Sequence, residues 1–462
     1  MHLNHIKKII PISGLLAQRF FTNPSLPHLP LLERIVSQTK TASHLRNTAI
    51  VYIHHPLQTS VNLLDCIVRL GAQSKNIFVL GKKYSECPSV VQQIKSYGVY
   101  YQSCSAQAGL GQFAQSFTRD INWLWKQVNN HLNENNIEKL LVLDHGGYAT
   151  SYIPVPILQQ CKVIGVEKTT AGLTKLHDQG LPPFPLIGIA NCATKKILES
   201  PLIAEAIVNK LLPLVPHERT VTCGIIGYGA IGKAVAIKLL SMNYKVIVYD
   251  HHPLSLTVHG ITRTDSLANL IDFSDYIFGC TGQDTIKSIE PFRSSQRDKT
   301  LISCSSEDKE FLPLLKAIQK KNNEMISDPL AEARYMTDRG ATIRILKGGF
   351  PINFDNSGES VPKKDIQLTR ALALISILQA EKFFDNNQLL KKAGIYALDP
   401  EMQRFVATAW LQGQPENRFS KDIRDSFKCL EWIIENSGGI NEPCSILDNY
   451  TYNSTAPIIN LA

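Results

Sequence analysis

Ten cysteines are spread over 462 residues, yet none forms a C-x-x-C pair and none sits in a ligand-like cluster. A zinc ribbon and a disulfide-stapled scaffold are thereby excluded, no metal site is expected, and free thiols in a reducing cytoplasm fit best. Basic residues never run to five in a row. The net charge of +8 comes from 48 scattered Lys and Arg against 40 Asp and Glu, which gives no footprint for nucleic acid. No apolar run reaches the roughly 18 residues of a spanning helix, so no membrane partner is expected. The opening "MHLNHIKKIIPISGLLAQRFF" has the basic start of a secretory leader. Pro11 interrupts its apolar stretch, no small-residue cleavage site follows, and a cytoplasmic protein is expected. Histidine is missing from the last two fifths of the chain, since all 13 lie at or before His259.

What is present is a nucleotide signature. "CGIIGYGAIGKAVAIKLLSMNYKVIVYD" (223–250) reads as strand, glycine turn, helix and second strand. Gly227 suits the tight turn, Gly229 lets backbone approach a pyrophosphate, and Gly232 lets the helix pack on the sheet. Asp250 closes the second strand, where a carboxylate can accept from ribose hydroxyls and repel a 2′-phosphate. The cofactor expected is NAD rather than NADP, with His251 and His252 just beyond.

Around this site strands and helices alternate as in parallel sheets. Strands are expected at 48–53, 76–81, "VYYQS" and 138–147, with helices at 60–72, 89–98 and over "FAQSFTRDINWLWKQVNNHL". Further strands follow in "YIFGCTG" (276–282), "TLISCSS" (300–306) and "TIRILKGG" (342–349). The helix "TRALALISILQAEKFF" then returns to the first unit. The fold class is α/β with two doubly wound parallel-sheet domains, one of them a Rossmann NAD-binding domain. The boundaries expected are 1–198, completed by 354–413, for a substrate-type domain and 199–353 for the Rossmann domain. Residues 414–462, polar and irregular in pattern, form a C-terminal extension.

"LDHGGYATS" (143–151), "GVEKTTAGLTKLHDQG" (165–180), "PLIGIANCATKK" (185–196), the fingerprint, "GCTG" (279–282), "ILKGGFPINF" (345–354) and "GIYALDPEMQRFVATAWL" (394–411) occur in the order of their counterparts in S-adenosylhomocysteine hydrolases. The chain resembles that family over roughly residues 25–412. The resemblance implies a resident NAD that oxidises a ribose hydroxyl, supports homocysteine elimination and water addition, and returns the hydride. It also implies NAD contacts from Gly227, Gly229, Gly232, Asp250, Thr169, Thr170, Thr281, Gly282 and Asn353. Thr169 and Thr170 also read as N-cap residues of the next helix. Lys195, with Lys196 beside it, falls on the base that takes the hydroxyl proton. His55, with His54 adjacent, falls on a catalytic histidine, and Asp144 is retained.

Departures gather on the substrate side. His145 and Tyr148 stand where the family has aspartates, Lys168 replaces a glutamate, and Glu199-Ser200 replaces an Asp-Asn pair. Thr59 and Leu57 stand at adenine-reading positions. Ser306 and roughly Ser360 stand where the family has its later histidines, and the closing "YTYNSTAPIINLA" lacks the family's Lys-x-x-x-Tyr tail. The expectation is an adenosylhomocysteinase-like NAD enzyme that oxidises a hydroxyl of a small substrate, anionic or nucleoside-like, without efficient S-adenosylhomocysteine hydrolysis. Its catalytic set is Lys195, His55, Asp144, His145 and Lys168. A non-catalytic NAD-binding or regulatory protein and a retained adenosylhomocysteinase stand as alternatives, and a homo-oligomer is left open. Lys168 as an ammonium donor and His145 as a cation near neutral pH would favour an anionic group. A lysine paired with Glu167 or turned to solvent is the competing reading.

Overall fold

The computed structural model describes residues 25–437 apart from 40–44, 105–108, 217–220, 253–257, 322–327, 329, 387–389 and 391. The leader-like start and the closing tail therefore lie outside the described residues. The first sheet holds β1 (Thr48–His54), β2 (Ile77–Gly81), β3 (Tyr100–Ser103), β4 (Lys139–Asp144), β5 (Lys162–Glu167), β6 (Pro185–Gly188) and β14 (Gly394–Ala397). Their order is β14-β6-β5-β4-β1-β2-β3, and every pairing is parallel. The second holds β7 (Thr222–Ile226), β8 (Lys245–Tyr249), β9 (Ile261–Arg263), β10 (Tyr276–Gly279), β11 (Lys299–Ser303), β12 (Ala333–Met336) and β13 (Thr342–Ile345). Its order is β12-β13-β11-β10-β7-β8-β9, with only β12 antiparallel to its neighbour.

Parallel sheets need both faces covered, so their strands read as continuous apolar runs. All seven residues of β1 are buried. Ile50 and Tyr52 enter the core on one face, which includes the helix Lys363–Phe384, while Ala49, Val51 and Ile53 enter the core under the long helix Phe113–Asn135. That long helix spaces Phe113, Phe117, Ile121, Leu124, Val128 and Leu132 along one buried stripe and stops at Asn136, whose φ of 51° is left-handed. Chain order reverses between β1 and β4 in the first sheet and between β7 and β10 in the second. In open α/β sheets ligands bind outside the carboxyl ends at such switch points. His55 and His145 follow β1 and β4, and Gly227 and Thr281 follow β7 and β10.

The segment after residue 413 differs from the irregular extension expected. Helices Lys421–Ser426 and Leu430–Ser437 pack Phe419, Ile423, Phe427 and Ile433 into the core of the first sheet. Ser437 also accepts from the Ala193 N–H at 3.0 Å. Apolar residues every four positions were the helical signal, masked by the polar residues between them. Phe427 is fully buried, so Phe427→Ala is expected to cost about 3–5 kcal/mol in urea unfolding. An unchanged midpoint would mean that this segment does not close the core.

Candidate functional site

The glycine turn has a cradle shape. Gly227 sits at φ +92°, and a Cβ there would meet Thr281 Cγ2 at 2.8 Å. A Cβ on Gly232 would lie 1.9 Å from the Gly227 carbonyl oxygen, so the helix Ala230–Ser241 is locked onto the strand. A Cβ on Gly229 meets nothing within 4 Å. That open position, at the start of a helix whose first N–H groups lack intrahelical acceptors, fits a pyrophosphate. Asp250 accepts from the Tyr228 N–H at 2.6 Å and the His252 N–H at 3.0 Å, which aims its carboxylate at the turn. Across the switch point, Glu310 accepts from the Thr281 and Gly282 N–H groups at 2.7 and 2.6 Å and from the Thr281 hydroxyl at 2.8 Å. Glu310, which motif reading missed, fixes that loop. Asn353 is buried, and the ring of the following Phe354 stacks on His55 at 4.1 Å.

The first sheet contributes a pair of imidazoles. His55 Nε2 lies 3.1 Å from His145 Nε2, which lies 3.2 Å from Ser306 Oγ beyond β11 of the second sheet. His55 Nδ1 lies 2.9 Å from Ser85 Oγ, and the Ser85 hydroxyl donates to the Lys82 carbonyl at 2.8 Å. Ser85 therefore accepts from His55 Nδ1–H. Neutral His55 then keeps a lone pair on Nε2, and His145 must meet it with Nε2–H. Burial holds both imidazoles well below their ordinary pKa, and the Lys82 and Lys168 ammoniums push the same way. His145 is thus an uncharged donor rather than the cation expected near neutral pH.

The remaining acidic and basic groups divide by partner. Asp144 accepts from the His145 N–H and from the Thr150 N–H and hydroxyl, each at 2.7 Å, and so shapes the loop after β4. Glu167 accepts from the Gly146, Gly147 and Thr169 N–H groups at 3.1, 2.9 and 2.7 Å and from the Thr169 hydroxyl at 2.7 Å. Thr169 in turn caps its helix by accepting from the Gly172 N–H at 3.0 Å, whereas Thr170 begins the helix and is exposed. Lys168 neither pairs with Glu167 nor reaches solvent; it is buried and donates to the Ile53 carbonyl at 2.9 Å. Lys195 lies on a single π turn, Lys195–Glu199, and its ammonium is ion-paired with Glu199. Such turns often mark functional sites, and no sequence pattern announced this one.

A buried ion pair joins the sheets. Lys82 donates to Glu307 Oε1 at 3.4 Å, the Tyr148 hydroxyl donates to Glu307 Oε2 at 2.7 Å, and Glu307 holds a φ of 117°. Burial would raise the Glu307 carboxyl, but Lys309 and Lys82 hold it below its usual value. The carboxyl ends of both sheets thus face one another, bridged by this pair and by the His145–Ser306 contact.

An α/β protein with a nicotinamide-dinucleotide domain is what this geometry defines. Residues 211–289 match the family model described as "D-isomer specific 2-hydroxyacid dehydrogenase, NAD binding domain". The chain is 29% identical over 353 residues to an uncharacterized protein of Mycobacterium tuberculosis, covering 76% of this chain and 67% of that one. It is 24% identical over 279 residues to the adenosylhomocysteinase of Thermoplasma volcanium, covering 58% of this chain and 66% of that one. A solved NADPH-dependent glyoxylate/hydroxypyruvate reductase from Sinorhizobium meliloti, in complex with NADP and malonate, aligns with a TM-score of 0.38 at 11% identity. That alignment covers 73% of this chain and 94% of the reductase. Adenosylhomocysteinases are therefore distant relatives. No helix among the described residues is long and apolar enough to cross a membrane.

Proposed function

We propose that this chain is an NAD-dependent enzyme that oxidises a hydroxyl of a small substrate held between the two sheets. The observation that carries the reading is the His55–His145–Ser306 chain, which brings proton-handling groups of the first sheet against the loop after β11, the strand beside β10 in the second. A bound nicotinamide supplies the hydride acceptor. Gly227, Gly229, Gly232 and Asp250 would hold its dinucleotide, Thr281, Gly282 and Asn353 would border it, and Thr169 and Thr170 stand at the opposite wall. Oxidation of an alcohol also releases the hydroxyl proton. His55 Nε2 offers a lone pair for it, held in place by Ser85, and a substrate hydroxyl would displace the His145 N–H. Lys195, steadied by Glu199, is the second candidate acceptor and the one the family resemblance favours. Asp144 acts by orienting the loop that carries His145. NAD is preferred to NADP because the Asp250 carboxylate would repel a 2′-phosphate.

A non-catalytic NAD-binding protein is the second reading, favoured by Phe354 packed flat on His55. Mixing the NAD-saturated protein with fractionated cell metabolites distinguishes the two. The enzyme reading expects the absorbance band of reduced nicotinamide to appear in wild type and to fall at least about 100-fold in rate in whichever of His55→Asn and Lys195→Met removes the proton acceptor, the scale of one lost acid–base contribution. NAD binding without reduction by any fraction would leave the binding reading in its place.

A further inference from the structure

A second cluster of charge lies beside the imidazole pair and has no part in the proton chemistry above. Lys168 is only 8% exposed at the residue after β5. Its ammonium donates to the Ile53 carbonyl and lies 4.8 Å from the centre of the Tyr52 ring. Among the described residues no carboxylate lies within ion-pair distance of it, and the adjacent Glu167 is engaged by four donors of its own. Arg370, on the helix Lys363–Phe384, which packs on both β5 and the helix Gln58–Arg69, is a second cation near enough to push the Lys168 ammonium down. Its Nε donates to Thr59 Oγ1 at 3.1 Å, while Nη2 stops 4.0 Å from Glu359 Oε1, too far for a hydrogen bond. Thr59, fully buried in the first turn of the helix Gln58–Arg69, gives its N–H to Glu359 Oε2 at 3.0 Å. A carboxylate thus already rests at the edge of this cluster. His54, stacked on Tyr52 at 4.1 Å, is bonded through Nδ1 to the His55 carbonyl and adds no charge.

Buried charges are ordinarily paired, and two like charges sharing a desolvated space raise each other's cost. We propose that Lys168 and Arg370 form an anion subsite that takes a carboxylate or phosphate group of the substrate, with the Thr59 hydroxyl beside it. The subsite rests on the reading of a substrate site between the two sheets. It selects a hydroxylated anion over a neutral nucleoside, because charge-assisted bonds from an ammonium and a guanidinium need an anionic acceptor to offset their burial.

A pH dependence follows. Burial, then Arg370 and Lys82, push the Lys168 ammonium down, while Glu167 and Asp144 oppose them. The other groups facing it are His54, His55 and His145, all held neutral by burial, and the Tyr52 phenol, pushed up to about 12. An arriving anion favours the ammonium form, so binding takes up a proton and affinity falls as pH rises.

Titration calorimetry of the full chain tests this. NAD is titrated first; glycolate and inorganic phosphate are then titrated into the NAD-saturated protein at mildly alkaline pH, in two buffers of unlike ionisation enthalpy. Wild type is expected to bind one of the two with proton uptake, and the stronger ligand identifies the group. Lys168→Met should lose at least about tenfold in affinity together with the uptake, and Arg370→Met a comparable affinity. Lys168→Arg should bind without uptake, which keeps the test open if the methionine variant does not fold. If neither anion binds NAD-saturated wild type, or if all variants match it, the subsite is refuted while the cofactor reading stands. If NAD itself does not bind, the cofactor reading fails, and anion binding by the free chain that takes up a proton in wild type but not in Lys168→Arg still supports the subsite.

Discussion

Gly229→Val is expected to abolish NAD binding, a loss of at least about a thousandfold or ~4 kcal/mol, while leaving the fold and the apoprotein's melting temperature nearly unchanged. Gly229 has φ −70° and ψ −165°, extended backbone that valine adopts readily, and its Cβ direction is open. The new side chain would fill the cradle that a pyrophosphate requires. Its neighbours cannot serve as probes. At Gly232 even a methyl would overlap the Gly227 carbonyl, and Gly227 itself is left-handed, so variants there disturb the fold before the ligand. Calorimetric titration with NAD and NADP reads the result. Undiminished NAD binding in the variant, or equal affinity of wild type for both dinucleotides, refutes the assignment of the cradle and of Asp250.

Most of the fold was legible because parallel strands and amphipathic helices leave periodic signals within a dozen residues. β1, β2 and the long helix Phe113–Asn135 formed within a few residues of their expected bounds for that reason. The glycine turn was legible because its constraints are local, as the close contact between residues 227 and 232 illustrates. The helices after residue 413 were missed because Phe419, Ile423 and Phe427 bury against elements far away in the chain. Charge states were the least legible. That His145 is a neutral donor depends on burial and on His55, 90 residues away, whose tautomer Ser85 sets, and that Arg370 acts on Lys168 depends on the helix Lys363–Phe384 packing on β5. Nothing local encodes the Lys82–Glu307 pair either, since 225 residues separate its partners.

Those same long-range contacts bear on the reaction that the family resemblance suggests. Homocysteine release from S-adenosylhomocysteine is expected to run at least about 10³-fold below a competent hydrolase, the scale of one or more lost acid–base contributions. Elimination requires a group that removes a proton from the oxidised ribose and returns it. The resemblance implies carboxylates for the positions now held by His145, Tyr148 and Lys168. Each replacement is committed elsewhere: His145 to His55 and Ser306, the Tyr148 hydroxyl to Glu307, and the Lys168 ammonium to the Ile53 carbonyl. Asp144 and Glu167, the acids next to His145 and Lys168 in the chain, spend both oxygens on loop N–H groups and threonine hydroxyls, and Glu307 and Glu199 are paired with Lys82 and Lys195. Glu359 at position Thr59's amide and the Arg370 guanidinium further load the pocket with charge that a neutral adenine does not match. Trapping free thiol from S-adenosylhomocysteine incubated with NAD-saturated protein measures the rate directly. Turnover within tenfold of a competent hydrolase would mean that these groups rearrange when substrate binds and that the site has kept the family's chemistry. A rate at or below the expected floor, together with hydride transfer from another hydroxylated compound, would establish that the redox half of the site has been retained and coupled to a different substrate.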